Sequence, residues 1–530
     1  MKVLVSDSVA REGIDILRQQ ATVDVKTGLA EDALVAIIGE YDALVVRSST
    51  QVTKRIIEAG TQLQVIGRAG VGVDNIDVDA ATQRGVLVVN APDGNTLAAA
   101  EHTIAMMLAM ARHIPQADAS LRQQKWERNK FTGVQVTDKT LGVIGMGRIG
   151  TEVARRGRGL GMRVLACDPY TSSSWTQSIG VEMCSRLEDL LEQSDFVTVH
   201  VPLTAATRNL LGEQELALLK PGARVINCAR GGVINEEALL KALDEGQLAG
   251  AALDVFSKEP ATDNPLVSHP KTVVTPHLGA STAEAQVAVA VDVAHQIADV
   301  LSGRPAAHPV NAPLIPPETQ AQLLPFCELA ENLGRVAIQL MDHHLDQLRI
   351  TYAGQLASMD TGLLSALLIK GLLQDATESR ITQVNAGLVA RARGLQIVEE
   401  KTADAGNYAS LITLSFTDNG RDRVLSGTIM RQEPHIVQVD QYWLDFVPRG
   451  YQLVIDHLDQ PGMIGQVGQV TGAADVNIAF MAVGRQQPRG DSLMVLTVDE
   501  YVTPEVRAQI AALPDVHSVR LLELPPRSDR

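Results

Sequence analysis

Arg230, Glu259 and His277 are the side chains whose types and settings read most directly as chemistry. Arg230 follows the apolar run ARVINCA and precedes Gly231-Gly232. Glu259 lies in Ser257-Lys258-Glu259-Pro260, just past GAALDVF, and His277 follows TVVT in Thr275-Pro276-His277-Leu278-Gly279-Ala280. Each run reads as a short strand, so all three groups project from loops at the carboxyl ends of strands, where open α/β sheets bind their ligands. A guanidinium can grip a carboxylate through two parallel N–H bonds and polarise the adjacent carbonyl. Of the three, only an imidazole ordinarily titrates near neutrality, which suits it to carry a proton. A carboxylate on its far ring nitrogen would orient it. Oxidation of a 2-hydroxy acid needs that base, that cation, and a nicotinamide to receive the hydride. Singly, the residues also read as a surface Arg, a solvated loop Glu and a packed loop His; their shared order and setting favour the chemical reading.

The hydride acceptor has its own signature. The strand LGVIG runs straight into Gly145-Met146-Gly147-Arg148-Ile149-Gly150 and then a helix, and Asp168 ends the next strand 18 positions past Gly150. In a dinucleotide-binding turn the first glycine makes the tight bend, the second admits the pyrophosphate and the third lets the helix pack on the sheet. The helix N-terminus adds free N–H groups and partial positive charge. Asp168 can accept bonds from the adenosine ribose hydroxyls and would repel a 2′-phosphate. Pro169 and Tyr170 offer no arginine to hold that phosphate, so NAD is expected over NADP.

These loops need sheets to hang from. From Lys139 the apolar runs 140–144, 163–167, 196–201, 224–228, 251–255 and 272–275 alternate with helical segments. Six strands complete a doubly wound, Rossmann-type sheet. Residues 1–94 repeat the pattern with runs at 2–5, 43–47, 64–68 and 86–90, which predicts a second, flavodoxin-like parallel sheet covered on both faces. Asn95 is placed to cap a long apolar helix reaching about His113 and ended by Pro115. Ser281-Thr282-Ala283-Glu284 reads as a capping box for a helix reaching Gly303. With one helix entering the NAD domain and one leaving, that domain is expected to be inserted in the first, with the helices as hinges. The expected organisation is an α/β chain with 1–96 plus 283–313 as substrate domain and 97–282 as NAD domain. An α/β intervening domain at 318–447 and a βαββαβ unit at 451–530 complete it. The Pro-rich stretch 304–317 is expected to carry the last strand of the first domain.

Bulk composition agrees. A chain of 530 residues exceeds one core, and 45% hydrophobic residues with 42 glycines and 3% aromatics suit tightly packed α/β layers. The 46 basic and 62 acidic side chains leave a net charge of −16, which disfavours nucleic acid and anionic membranes as partners. A small-molecule substrate is expected, and an anionic one needs a local cluster of arginines. Cys167, Cys184, Cys228 and Cys327 show no metal-ligand or redox spacing along the chain and read as buried reduced thiols. No metal is expected. Neither a signal-peptide core nor a membrane-length apolar run is visible, so a cytoplasmic protein is expected.

Eight stretches together carry a resemblance: VRSST (46–50), IGRAGVGVDNID (66–77), NTLAAAEHTIAMMLAMAR (95–112), GVIGMGRIG (142–150), VHVPLTAATRNLL (199–211), INCARGGVINEEAL (226–239), ALDVFSKEP (252–260) and TPHLGAST (275–282). They are similar to the D-isomer-specific 2-hydroxy-acid dehydrogenases, and to the long members of that family in particular. The resemblance implies that Arg230 binds the substrate carboxylate, His277 is the acid/base and Glu259 its partner. It places Asp254 at the nicotinamide carboxamide. Gly145, Gly147, Arg148, Ile149, Gly150, Asp168, Val201, Cys228, Ala229, Arg230, His277, Gly279 and Ala280 would line the NAD cleft. Val71 and Val201 stand where relatives often carry Thr. His200 reads as pocket lining, and His102 as a hinge-helix contact rather than a second base.

A phosphorylated substrate would need cations in the first domain. Arg47 ends a run, Arg68 precedes the Gly70–Asn75 turn, and Arg128 lies in the basic Lys125–Lys130 knot. With Ser48, Val71, Gly72 and Asn75 they are the expected substrate-binding set. The implied reaction is oxidation of 3-phospho-D-glycerate by NAD to 3-phosphohydroxypyruvate, the first step towards L-serine. Residues 454–465 (VIDHLDQPGMIG) resemble the opening of an ACT domain, an amino-acid-binding unit with its pocket at a dimer interface. His457, Asp459 and Asn477 are the expected regulatory residues, with L-serine as effector and a homodimer or homotetramer as assembly. Another reductase of the same superfamily and an NADH-sensing regulator are the alternatives; the intact trio and the sensor-like tail disfavour the second.

Overall fold

The computed structural model describes residues 1–341, 345–374, 380–418 and 420–526. Strands buried on both faces of a parallel sheet need near-continuous apolar runs, and those of the first lobe do pair in parallel. β1 (Lys2–Val5), β2 (Thr22–Val25), β3 (Ala43–Val46), β4 (Val65–Arg68) and β5 (Leu87–Asn90) form a sheet in the flavodoxin-like order β2-β1-β3-β4-β5. β2 was not among the predicted strands. It lies at the edge and is half exposed along its length, so its TVDV sequence leaves no apolar signature.

The second sheet holds β6 (Thr140–Ile144), β7 (Arg163–Cys167), β8 (Glu182–Met183), β9 (Phe196–Val199), β10 (Ala223–Asn227), β11 (Leu248–Leu253) and β12 (Thr272–Val274). All are parallel, in the order β12-β11-β10-β9-β6-β7-β8. This is the doubly wound arrangement, with seven strands rather than the six predicted. The extra strand, β8, has two residues at the sheet edge, too few to register as a run.

Helix Thr96–Ala111 leads into this sheet, and helix Ala283–Leu301 leads back. The returning helix packs Val289, Val293, Ile297 and Leu301 against Val3, Val5 and Val45, so the second lobe is inserted within the first. Four local details differ from the expectation. Asn95 makes no side-chain cap bond, and Pro115 sits in the first turn of the next helix, Ile114–Arg122, where its missing N–H costs nothing. The returning helix is capped by Thr282, whose hydroxyl accepts from Ala285 N, rather than by Ser281. Residues 304–317 contribute one antiparallel bridge, Val89 to Pro309, and no strand, because prolines cannot donate to a ladder.

Beyond helix Pro317–Leu340 come β13 (Gln347–Gly354), β14 (Gln396–Thr402), β15 (Ser410–Asp418), β16 (Arg421–Met430), β17 (Glu433–Val439) and β18 (Tyr442–Phe446), a mixed sheet ordered β14-β13-β15-β16-β17-β18. The C-terminal βαββαβ unit follows as β19 (Tyr451–Leu458), β20 (Ile478–Arg485), β21 (Asp491–Val498) and β22 (Val516–Glu523). They form an antiparallel sheet ordered β20-β21-β19-β22. One face of it joins the preceding unit's core, with Val454, Val495 and Leu522 packed among Leu329, Leu333 and Ile412. Residues 527–530 of the predicted C-terminal unit lie outside the described residues. Of the four thiols only Cys228 is buried; Cys167, Cys184 and Cys327 are partly exposed. Among the described residues no helix is long and apolar enough to cross a membrane.

Candidate active site

β10, β11 and β12 are neighbours, so the loops that follow them share one rim of the second sheet. The turn after β10 is pinned by Asn227, whose side chain accepts from Ala229 N at 3.0 Å and donates to Arg230 O at 2.9 Å. Arg230 is thereby aimed across the interlobe cleft, where its Nε lies 3.5 Å from Asp74 Oδ2 of the first lobe. Glu259 accepts from Phe256 N through Oε1 at 3.1 Å, which leaves Oε2 for His277 Nδ1 at 2.9 Å.

His277 adopts a left-handed backbone with φ 56°, a conformation that costs a non-glycine residue about 1–2 kcal/mol and needs support. Asp254 supplies it. Its carbonyl accepts from His277 N at 2.9 Å, and its carboxylate accepts from Thr275 Oγ1 at 2.6 Å, Leu278 N at 2.7 Å and Gly279 N at 2.8 Å. Burial alone would raise the Asp254 carboxyl, but the bonds from His102, Thr275 and Leu278 outweigh it and hold the group below the usual carboxylate range. Hence Asp254, 1% exposed, is engaged with its own loop and with helix Thr96–Ala111. It serves in this geometry as a positioning residue. His102 is that helix's contact, with Nε2 3.1 Å from Thr275 Oγ1 and 3.2 Å from Asp254 Oδ1.

The Gly-rich turn has the shape a dinucleotide requires. Gly145 takes φ 93°, and a Cβ on Gly150 would lie 2.0 Å from Gly145 O, so the helix can approach only without a side chain. Around Gly147 there is open space. Helix Arg148–Gly159 begins there with no side-chain cap, leaving its first N–H groups for an anion. Asp168 Oδ2 accepts from Met146 N at 2.7 Å and Oδ1 from Tyr170 N at 2.7 Å, tying β7 to the turn. These residues fit NAD. Arg148 Nε pairs with Asp93 Oδ1 of the first lobe at 2.5 Å. His200, with Nε2 2.9 Å from Thr198 Oγ1, is pushed by burial down to about 4 and so is neutral beside the turn. Cys228, under the same rim, is pushed by burial up to about 12.

The first lobe brings its cations to the cleft. Arg68 lies across Gly70, where any Cβ would fall 1.6 Å from its Nη1. Burial pushes Arg68 down to about 10, with the charges of Arg230 and Arg47 acting the same way and those of Asp74 and Asp7 opposing. Arg68 Nε is buried without a protein partner, a cost that a bound anion would relieve. Asp7 was missed from the sequence. Its carboxylate accepts from Arg47 N, Thr50 N and Thr50 Oγ1 and so shapes the loop bearing Arg47 and exposed Ser48. An acid two residues past an apolar strand was the available signal. Asn75 spends its amide on Arg47 O and Thr50 O, so it too positions that loop. Val71 accepts from Asn90 Nδ2 through its carbonyl.

Arg128 is not brought to the cleft of its own chain. Its turn, Arg128–Phe131, precedes Gly133 and Val134, which pack on Ala111 at the far end of helix Thr96–Ala111. Thr96 and Leu97, at the other end, line the mouth of the cofactor groove. That helix of 16 residues spans roughly 24 Å. Within one chain, the length of that helix holds the basic 125–130 knot away from the groove, a separation the sequence does not display.

The regulatory candidates separate. Asp459 accepts from Arg485 Nη1 at 2.7 Å and from Arg489 N at 3.2 Å. His457 is 1% exposed, with Nδ1 2.9 Å from Leu458 O and Nε2 unpartnered. Asn477 donates to Asp499 Oδ2 at 2.6 Å just before β20, whereas Asp459 lies just after β19. Both strands are antiparallel to β21, so these positions are at opposite ends of the sheet, roughly 25 Å apart. One chain therefore cannot close a single pocket from both.

Comparison with known proteins gives a consistent result. Residues 104–279 match the model of the D-isomer specific 2-hydroxyacid dehydrogenase NAD binding domain, and residues 322–440 that of the D-3-phosphoglycerate dehydrogenase intervening domain. A D-3-phosphoglycerate dehydrogenase of Synechocystis sp. is 46% identical over 98% of this chain and 95% of its own. One from Methanocaldococcus jannaschii is 43% identical over 99% and 100%. A crystal structure of D-lactate dehydrogenase from Aquifex aeolicus, complexed with NAD and lactic acid, superposes with a TM-score of 0.52 at 25% identity, covering 57% of this chain and 96% of its own.

Proposed function

The chain belongs to the D-3-phosphoglycerate dehydrogenases, NAD-dependent oxidoreductases of the 2-hydroxyacid dehydrogenase family, and from that premise we propose how its own residues carry the reaction. The substrate is 3-phospho-D-glycerate and the product 3-phosphohydroxypyruvate. The observation that carries the assignment of roles is the 2.9 Å contact between His277 Nδ1 and Glu259 Oε2 on the rim that also bears Arg230.

Arg230 exchanges Asp74 for the substrate carboxylate and holds it in two parallel bonds. Arg47 and Arg68 take the phosphate, aided by N–H groups of the 70–75 turn, while Asp7 and Asn75 keep the 47–50 loop in place. With Nδ1 committed to Glu259, His277 presents Nε2 to the hydroxyl and accepts its proton. Glu259 then faces an imidazolium and stabilises the charge. NAD, when bound, supplies the hydride acceptor. The bare N-terminus of helix Arg148–Gly159, together with Arg148, holds its pyrophosphate, and Asp168 its adenosine ribose. Asp254 fixes the loop of His277.

The C-terminal βαββαβ unit is an ACT domain that binds L-serine as a feedback inhibitor between two copies of the chain. The separation of Asp459 from Asn477 supports a pocket built from both subunits of a homodimer or homotetramer. The preceding unit grips the first lobe through Thr382 Oγ1 to Gly85 O at 2.9 Å and Arg380 Nη1 to Leu63 O at 3.3 Å, a physical route for the effector's influence. The cytoplasm, where NAD is abundant and thiols stay reduced, suits this activity.

NADH formation by purified protein with 3-phosphoglycerate, with and without L-serine, tests the reading. Arg47→Ala should weaken the phosphorylated substrate far more than an unphosphorylated 2-hydroxy acid; equal losses would remove the phosphate site.

A further inference from the structure

Cys167 and Cys184 are 17 residues apart in sequence and show no redox spacing there. The sheet changes that. β7 and β8 pair in parallel with Leu165 opposite Glu182 and Ala166 opposite Met183, and Cys184 N donates to Ala166 O at 2.8 Å. The next step of that register sets Cys167 opposite Cys184. Side chains alternate across a strand, and the pattern of packing shows which way these two point. Ala166 and Met183 pack with the core beneath the phosphate-binding helix, whereas Cys167 and Cys184 both join the opposite core with Leu165 and Leu187. Two partly exposed thiols thus stand side by side on one face, at the last rung of a sheet edge. Neighbouring strands are about 4.8 Å apart, inside the range of Cα separations that disulfides span.

Their position matters more than their proximity. The carbonyl of Cys167 accepts from Gly145 N at 3.0 Å, and the next residue, Asp168, accepts from Met146 N at 2.7 Å. The end of β7 therefore holds the first two residues of the dinucleotide turn. We propose that Cys167 and Cys184 form a reversible disulfide under hydroperoxide, and that the bond, by drawing the end of β7 towards the two-residue edge strand β8, loosens the dinucleotide turn and weakens NAD binding.

The chemistry balances with one peroxide. A thiolate sulfur attacks a peroxide oxygen, the O–O bond breaks, and hydroxide leaves and is protonated to water, giving a sulfenic acid. The second sulfur attacks the sulfenic sulfur, the S–S bond forms as the S–O bond breaks, and the departing oxygen takes the thiol proton as water. Both sulfurs are oxidised and the peroxide is reduced to two waters; a dithiol reductant reverses the bond. Burial raises both thiols above their ordinary range, and Asp168 beside Cys167 and Asp189 beside Cys184 add to it. Little thiolate exists at neutral pH, so oxidation should be slow there and faster as pH rises.

The effect on the cofactor rests on the assignment of the NAD turn, so the test reads the bond and its consequence separately. The full-length enzyme is treated with hydrogen peroxide, digested without reductant, and mapped for a peptide linking Cys167 to Cys184. KM for NAD and kcat are measured on the same sample before and after dithiothreitol. The linked peptide is expected, with a several-fold rise in KM for NAD, a smaller change in kcat, and recovery on reduction. Cys184→Ser should keep its basal KM and lose the peroxide response, although it retains Cys228 at the cofactor rim. Separate sulfinic acids at the two positions without a linked peptide would overturn the pairing. A linked peptide with unchanged KM, or an undiminished response in C184S, would overturn the coupling to NAD. Asp168→Ala, which tests the NAD turn itself without peroxide, tells failure of that assignment apart from failure of the thiol pair.

Discussion

Replacing Gly72 with Ala is the sharpest probe of the proposed anion site, because it displaces the Arg230 guanidinium without touching its covalent structure. A Cβ at Gly72 would lie 2.3 Å from Arg230 Nη2 and 2.8 Å from Asp74 Oδ2, where ordinary contact begins near 3.4 Å. Gly72 has no positive φ, so alanine is free to adopt its backbone. The neighbours are the ends of flexible side chains, and they yield by about 1 Å instead of the fold. A bidentate carboxylate clamp does not survive a shift of that size with both bonds intact. A hydrogen bond to a charged group contributes about 1.5–3 kcal/mol, so kcat/KM for 3-phosphoglycerate should fall roughly 10- to 100-fold. Initial rates of NADH formation over a substrate series measure this. KM for NAD should change little, and thermal unfolding should stay near the wild-type midpoint. An unchanged kcat/KM would refute the placement of Arg230 against the Gly72 turn as the carboxylate grip, and a loss confined to NAD binding would put Gly72 in the wrong subsite.

Gly150→Ala should behave in the opposite way. Gly→Ala within a helix usually stabilises by about 0.5–1 kcal/mol, but here the Cβ would meet backbone at 2.0 Å, so calorimetry should show a lower midpoint and titration a loss of NAD binding. Asp168→Ala should narrow the preference for NAD over NADP; an unchanged ratio of kcat/KM values would show that this carboxylate does not read the ribose. Asp254→Asn should lose the support of the His277 loop. Because the folded Asp254 carboxyl is held below its unfolded value of about 3.9, its contribution is complete above about pH 4 and fades as pH falls through the lower folded value. The stability gap between wild type and variant, followed by urea unfolding, should therefore shrink on acidification below about pH 4. Isothermal titration of L-serine should detect binding to the wild type and weaker binding to Asp459→Ala; equal binding would remove Asp459 from the effector site.

Much of this protein was legible in its residues. Apolar runs of four to six residues announced the buried parallel strands, because such strands must be hydrophobic on both faces, and Gly-x-Gly-x-x-Gly declared a backbone turn that only glycines allow. Arg230, Glu259 and His277 stood at the ends of three such runs, and the adjacency of β10, β11 and β12 brings them to one rim. What the chain could not declare was anything set by distance through space. The edge strands β2 and β8 are too exposed or too short to leave a hydrophobic period. Within one chain the length of helix Thr96–Ala111 keeps Arg128 from the cleft its fellow arginines share, and the antiparallel pairing with β21 sets Asp459 and Asn477 at opposite ends of one sheet. Asp7 and Asn75, which shape the loop of Arg47, act through backbone bonds between segments far apart in the chain. The pairing of Cys167 with Cys184 arises only from strand register. Local pattern records which face a residue presents to solvent or core, and tertiary packing alone decides which residues meet there.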